Sequence, residues 1–254
     1  GIHIKNYRLP SLSDIAKQLL FFNDEIWIGT SRGIYQINEL NELVKYVKNP
    51  KLIDVNVQSF YTDRSLVKVN TSTGIFDLKN VFNGLNTNKG LKSNYVTSSF
   101  LLKGNRLIGM YGKGLQLYNR DKGISIPRAL KLLDNEIILD LLVNQNEVWI
   151  ATMNNGVYVW NTDSDDLKNF NVNNGLSNNH VRTLVKDKWG NIWIGTSGGG
   201  ISIYNNSPFL EYNKSNGLNS NYIYAVAKDV NHNLWVSTEG TGVVRLNDTS
   251  NVLF

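Results

Sequence analysis

One phrase recurs six times along this chain. It reads IWIGTSRGIYQI, VKVNTSTGIFDL, LIGMYGKGLQLY, VWIATMNNGVYVW, IWIGTSGGGISIY and LWVSTEGTGVVRL, centred on residues 26–37, 67–78, 107–118, 148–160, 192–204 and 234–246. Its aligned glycines are Gly33, Gly74, Gly114, Gly156, Gly200 and Gly242, at intervals of 41, 40, 42, 44 and 42 residues. So even a period marks a repeat architecture, in which each unit buries its faces against its neighbours.

A second phrase precedes the apolar run of a unit. It is KGLKSNYV from Lys89, NGLSNNHV from Asn174 and NGLNSNYI from Asn216, with fainter copies RLPSLSDI from Arg8 and LLDNEII from Leu132. Polar breaks such as Asp187-Lys188-Trp189-Gly190-Asn191 and Asp229-Val230-Asn231-His232-Asn233 suit tight hairpin turns. Each unit therefore reads as strand, tight turn, strand, Gly loop, strand, turn, strand. In the fifth unit the strands are expected at His180–Lys186, Ile192–Thr196, Ile201–Tyr204 and Phe209–Tyr212. Asn38 to Lys48 reads as a connection between third and fourth strands.

Four short strands per repeat match one propeller blade. The expected fold is all-β, a β-propeller of four-stranded antiparallel blades with six repeats visible. It is either a closed six-bladed ring or part of a seven-bladed propeller, spanning residues 1–254 as one domain or propeller fragment. Gly1 to Asn6 resembles the late strands of a blade and would close the ring by completing the sixth. The second strands, such as Ile192-Trp193-Ile194-Gly195, are apolar on both faces, as a sheet between two neighbours requires. Trp27, Trp149, Trp193 and Trp235 are expected in the core between blades, and Gly29, Ala151, Gly195 and Ser237 let an adjacent sheet approach. Lys68 and Ile108 take the tryptophan position in the second and third units, which predicts poorer packing there.

Composition narrows the classes. Apolar residues are 41% and charged residues 19%, enough for a packed core and against disorder. With no cysteine there is neither a disulfide scaffold nor cysteine-ligated zinc. The net charge of +5 is scattered without a dense basic run, so nucleic acid is not an expected partner. No apolar run approaches the roughly 20 residues of a membrane helix. No signal peptide is visible at Gly1, and a mature or excised piece would read the same.

The Ser197-Gly198-Gly199-Gly200 cluster invites comparison with a phosphate loop. Such a loop needs Gly-Lys-Ser/Thr followed by a helix, whereas here a strand follows and every unit has an equivalent, so the glycines serve a turn. Because strands alternate in direction, the Gly loops and the Gly-Leu loops should share one end of every blade, opposite the Asp-x-x-Gly-Asn turns.

The stretch NGLSNNHVRTLVKDKWGNIWIGTSGGGISIYN, Asn174 to Asn205, resembles the two-component regulator propeller repeat through Gly-Leu-x-x-Asn, Val, Asp-x-x-Gly-Asn, Trp-Ile-Gly-Thr and Gly-Gly. The likeness is good in the first, fourth and sixth units and faint in the second and third. It implies a periplasmic or extracellular sensor region of a hybrid two-component regulator, of a kind found in Bacteroidetes and responding to an oligosaccharide. It also implies neighbouring propeller or signalling domains of a longer chain as partners, with a homodimer as an open alternative. The chain departs from that family in showing six repeats rather than seven and no kinase, receiver or helix-turn-helix segment.

A ligand at the loop end would meet Arg32, Tyr111, Lys113, Asn154 and Glu239 from Gly loops, and Tyr95, Asn179, His180, Arg182 and Tyr222 from the starts of first strands. Aromatic faces with Asn and Arg suit sugar rings and hydroxyls, or an acidic sugar. His3, His180 and His232 form no metal-spaced pair, and the cluster Asp163, Asp165 and Asp166 reads as a solvated loop rather than a calcium site. No metal, cofactor or catalytic constellation is expected. The leading expectation is a non-catalytic ligand sensor, ahead of a protein-interaction propeller and of a propeller lyase or glycosidase.

Overall fold

The structure, a computed structural model, describes residue 9 and residues 14–23, 25–37, 42–63, 66–80, 84–119, 121–205, 210–215, 218–228, 234–239 and 242–246. It is an all-β, β-propeller fold: six successive sheets, each an antiparallel meander in chain order. The chain forms two compact units, residues 1–97 and 98–254.

The unit 1–97 holds two blades. The first is β1 (Ala16–Phe22), β2 (Glu25–Thr30), β3 (Gly33–Ile37) and β4 (Leu43–Lys45). The second is β5 (Val57–Asp63), β6 (Leu66–Thr71), β7 (Gly74–Asp77) and β8 (Gly84–Leu85). The boundary between units falls within β9 (Val96–Leu102), the first strand of the third blade. That blade continues with β10 (Asn105–Met110), β11 (Leu115–Asn119) and β12 (Gly123–Ser125). The fourth is β13 (Ile138–Asn144), β14 (Glu147–Thr152), β15 (Val157–Asn161) and β16 (Leu167–Phe170). The fifth is β17 (Val181–Lys186), β18 (Ile192–Thr196), β19 (Ile201–Tyr204) and β20 (Leu210–Tyr212). The sixth has β21 (Ile223–Lys228), β22 (Leu234–Thr238) and β23 (Gly242–Leu246) among the described residues.

The expected strands of the fifth blade agree with the observed ones to within a residue. In the stretch read as a connection, Leu43–Lys45 instead pairs with β3 as a fourth strand. The ring-closing segment Gly1–Asn6, His3, His232 and the Asp229–Asn233 turn lie outside the described residues.

Close approach between sheets explains the small residues. In the unit 1–97, a Cβ at Gly29 would lie 2.6 Å from Val57 Cγ1. In the unit 98–254, a Cβ at Gly195 would lie 2.7 Å from Thr183 Cγ2 and 2.9 Å from Ile223 Cγ2. Glycine there removes a methyl that the facing sheet has no room for. Trp27 packs with Ile34, Leu52, Val57 and Val69, and Trp193 with Ile201, Ile223, Leu234 and Val236. Trp149 is enclosed as well, stacked on Phe170.

Two packing expectations are corrected. Trp235 is 38% exposed, against 1% for Trp193, which packs into the core with Ile223, Leu234 and Val236 of the sixth blade. The third blade is not poorly packed: Leu107, Ile108, Met110 and Leu115 are all fully buried. Ile108 fills the tryptophan position with a β-branched side chain suited to a two-sided strand.

First strands are also tied by polar links about one repeat apart. Gln18 Oε1 accepts the Phe60 N–H, and Ser59 Oγ donates to Thr97 O at 2.7 Å. In the unit 98–254, Asp140 accepts from Ser98 Oγ at 3.5 Å and from Leu184 N–H at 2.8 Å. Gln18, Ser59 and Asp140 each directly follow a register shift in their strand. That bulge turns the side chain towards the neighbouring strand.

Candidate ligand site

The loop end of the blades is built by three repeated devices. The threonine closing the second strand donates its hydroxyl to the carbonyl of the aligned glycine: Thr30 to Gly33, Thr71 to Gly74, Thr152 to Gly156, Thr196 to Gly200 and Thr238 to Gly242, at 2.8–3.1 Å. Four of these hydroxyls also accept a loop N–H, from Arg32, Thr73, Asn155 and Gly199. The hydroxyl thus replaces part of the ladder where the chain turns. Gly200 has φ +77°, and a Cβ there would fall 2.0 Å from Tyr212 O, so conformation and space both demand glycine.

The Gly-Leu-x-x-Asn phrase makes the second device. Leu91, Leu176 and Leu218 are buried. The side-chain carbonyls of Asn94, Asn179 and Asn221 accept the N–H groups of Thr87, Val172 and Lys214, each seven residues back, and hold the loop shut. The third device ties loops together. Within the fifth and sixth blades, Ser197 N–H donates to His180 O and Glu239 N–H to Tyr222 O, while Gly198 and Gly200 both donate to Asn221 O, at 2.9–3.0 Å. The Gly loops and Gly-Leu loops therefore do share one end, as strand alternation requires.

These bonds bring His180, Arg182, Tyr222 and Glu239 into one patch of the unit 98–254. Ser197 bridges to Tyr222, placing the sixth-blade ring beside the fifth-blade Gly loop. The Arg182 guanidinium lies 5.5 Å from the centroid of the Tyr224 ring, and the Tyr224 hydroxyl donates to Glu239 Oε1 at 3.3 Å. Tyr222 and Tyr224 are 51% and 50% exposed. His180 Nε2 and Arg182 Nε are buried without a hydrogen-bond partner. Burial first, and then the Arg182 cation, push the His180 pKa below its ordinary value, so the imidazole is neutral at pH 7. Tyr224 is an addition to the expected residues. Its signal lies in the repeat, since Ile223-Tyr224 matches the strand start Val181-Arg182 one blade later.

The remaining candidates are placed as follows. Asn179 lies in the same loop as His180, with its side-chain carbonyl engaged by Val172. Tyr111 and Lys113 are exposed on the Gly loop of the third blade, and Asn154 on that of the fourth. Arg32 and Tyr95 belong to the unit 1–97. Arg32 is exposed, with Nε 3.9 Å from Asp14 Oδ1, and Tyr95 N–H donates to Ser93 Oγ. The acidic loop is engaged in structure. Asp163 pairs with Lys103, Asp165 accepts the Trp160 indole N–H at 2.8 Å, and Asp166 accepts from Ser164. Among the described residues no three His, Asp or Glu side chains are grouped to hold a metal ion. No helix among them is long and apolar enough to cross a membrane.

Comparison with known proteins bears on the same two blades. The family model for the two component regulator propeller matches residues 175–198 and 217–240. The two matched segments contain His180, Arg182, Tyr222, Tyr224 and Glu239. No curated protein sequence matches the chain. Among solved structures it is similar to the extracellular domain of a B. thetaiotaomicron protein described as a putative hybrid two component system. The TM-score is 0.65 at 20% identity, over 93% of this chain and 40% of that one. A second B. thetaiotaomicron extracellular domain, described as a putative one component system, gives 0.73 at 19% identity over 91% of this chain and 32% of that one. The chain thus spans well under half the length of these domains. Virginiamycin B lyase from Staphylococcus aureus gives 0.63 at 14% identity, covering 91% and 83% of the two chains. At such identities the likeness is one of fold.

Proposed function

We propose that the chain is a non-catalytic, extracytoplasmic sensor module that recognises an oligosaccharide at the loop end of its fifth and sixth blades. It would pass a change of domain arrangement to signalling domains of a longer chain. The observation that carries this reading is the coincidence of two patterns. The two repeats that match the regulator-propeller family are the two whose loops gather His180, Arg182, Tyr222, Tyr224 and Glu239. The extracellular origin of the similar B. thetaiotaomicron domains supports an extracytoplasmic setting. Exposed tyrosine faces suit sugar rings, and amide, guanidinium and carboxylate groups suit their hydroxyls.

Signal transfer requires only that the ligand bind two arrangements of the longer chain with different affinity. A thermal-shift screen against neutral and acidic oligosaccharides tests the proposal. The expected result is a melting point that rises with the logarithm of one ligand's concentration and a shift lost in Tyr222→Ala. No shift with any member of the panel sinks it.

A further inference from the structure

We infer that the fifth- and sixth-blade patch is a site for an anionic sugar ring, a hexuronate, with Arg182 as the carboxylate partner. The inference rests on the sensor reading above and narrows its ligand class.

Charge is the first argument. Arg182 is a half-buried guanidinium, its Nε enclosed without an acceptor, and no carboxylate lies within ion-pair distance of it among the described residues. Cations that give up water normally recover a paired anion. Lys68, largely buried in the second blade, does so with Asp77. At Arg182 the compensation comes from the Tyr224 ring face. A planar guanidinium held over an aromatic ring keeps its edge available for a bidentate carboxylate.

The neighbours supply the second argument. His180 is kept neutral by burial and by Arg182, so the imidazole adds no competing charge. Tyr224, beside the cation, and Tyr222, beside the fifth-blade Gly loop, each leave half their surface open, which fits a ring rather than a bare inorganic anion. Glu239, oriented by the Tyr224 hydroxyl, is an acceptor for ring hydroxyls, held at the hydroxyl tip of Tyr224 while the guanidinium lies over its ring. One end of the patch thus takes a negative group and the other takes donors. A hexuronate presents that pair across a single ring.

The test is calorimetric titration of the full chain with a galacturonate trimer and with the matching neutral galactose trimer. The acidic trimer should bind at least roughly tenfold more tightly, with affinity falling as salt rises. Arg182→Gln should remove that preference while leaving the melting point unchanged, and Arg182→Lys should recover part of it. Equal affinity for the two trimers, or a preference untouched by Arg182→Gln, overturns the anionic assignment and leaves the sensor reading standing. Absence of binding by either trimer also overturns the assignment. The oligosaccharide melting screen then decides the sensor reading separately.

Discussion

In the fifth blade Trp193 fills one face of β18, its indole N–H donating to Asp187 Oδ2 at 2.9 Å; in the second blade Lys68 stands at the same repeat position and pairs with the buried Asp77 of β7. Two residues further on, Gly195 admits the facing sheet, whereas Asn70 is fully buried and donates to Ser59 Oγ at 2.8 Å. Both blades keep the bulge near the start of the first strand and the threonine clamp, Thr196 to Gly200 and Thr71 to Gly74, each at 2.8 Å. The contrast separates the parts of the repeat that can be exchanged from those that cannot. The turn clamp answers to backbone carbonyl and N–H groups, which side-chain substitution leaves in place. The interior of the sheet answers to volume and charge balance. A tryptophan held by an aspartate can therefore give way to a lysine held by an aspartate, provided the pair changes together.

The largest effect is expected at Trp193. Replacing it with alanine should cost about 4 kcal/mol from the lost burial and the cavity left behind, read as a lower urea midpoint for the unit 98–254. In the second blade, Lys68→Met should cost about 3 kcal/mol, because Asp77 stays buried without its cation. The double variant Lys68→Met with Asp77→Leu should recover most of that loss. If the single and double variants are equally unstable, the pair is not what replaces tryptophan.

Asp140 probes the polar side of the same contrast. Burial pushes its pKa up to about 6, against hydrogen bonds from Leu184, Leu141, Thr183 and Ser98 that pull it down. A carboxyl with a raised native pKa favours the folded state most when protonated. Its contribution is therefore full below the unfolded pKa near 4 and is lost as pH rises through about 6. Each pH unit between the unfolded and native pKa values corresponds to roughly 1.4 kcal/mol, so between pH 4 and pH 7 the wild type should lose about 2 kcal/mol relative to Asp140→Asn. A difference in urea midpoint that stays constant across that range would contradict the assignment.

Smaller effects test the close approach and the clamp. Gly195→Ala should cost about 2 kcal/mol through overpacking against Thr183 and Ile223. The same change at Gly104, where nothing stands within 4 Å of a Cβ, meets no neighbour and acts only through its φ of +80°. Thr196→Val and Thr71→Val should each cost about 2 kcal/mol, since each hydroxyl donates one hydrogen bond and accepts another. Near-equal losses in the two blades would support a clamp independent of the interior, and a loss confined to the fifth blade would refute it.

Much of the site is legible in the repeats. Aligning the phrase places His180, Arg182, Tyr222 and Glu239 at one end, because alternation along a meander assigns every loop to an end before any contact is known. Tyr224 stands at the repeat position of Arg182, beside the same bulge one blade later, so the alignment that singles out Arg182 could have found it as well. Asn179 is expected among the ligand residues, whereas its side chain holds its own loop to Val172. The tryptophans show the limit most clearly. Trp193 and Trp235 occupy the same position in nearly the same words, yet one is enclosed and the other open.

The period, the strands, the glycine turns and the end of the blade where side chains gather are all written in the order of residues. They follow from backbone conformations and alternations that are local in the chain. Packing in three dimensions settled the rest: which tryptophan is covered, that Lys68 is answered by Asp77, that Asp140 bonds across to Leu184, and that Arg182 rests on Tyr224. Each of these depends on a residue about one blade away or on a neighbouring strand, where distance and exclusion of water set the energy and the order of residues does not.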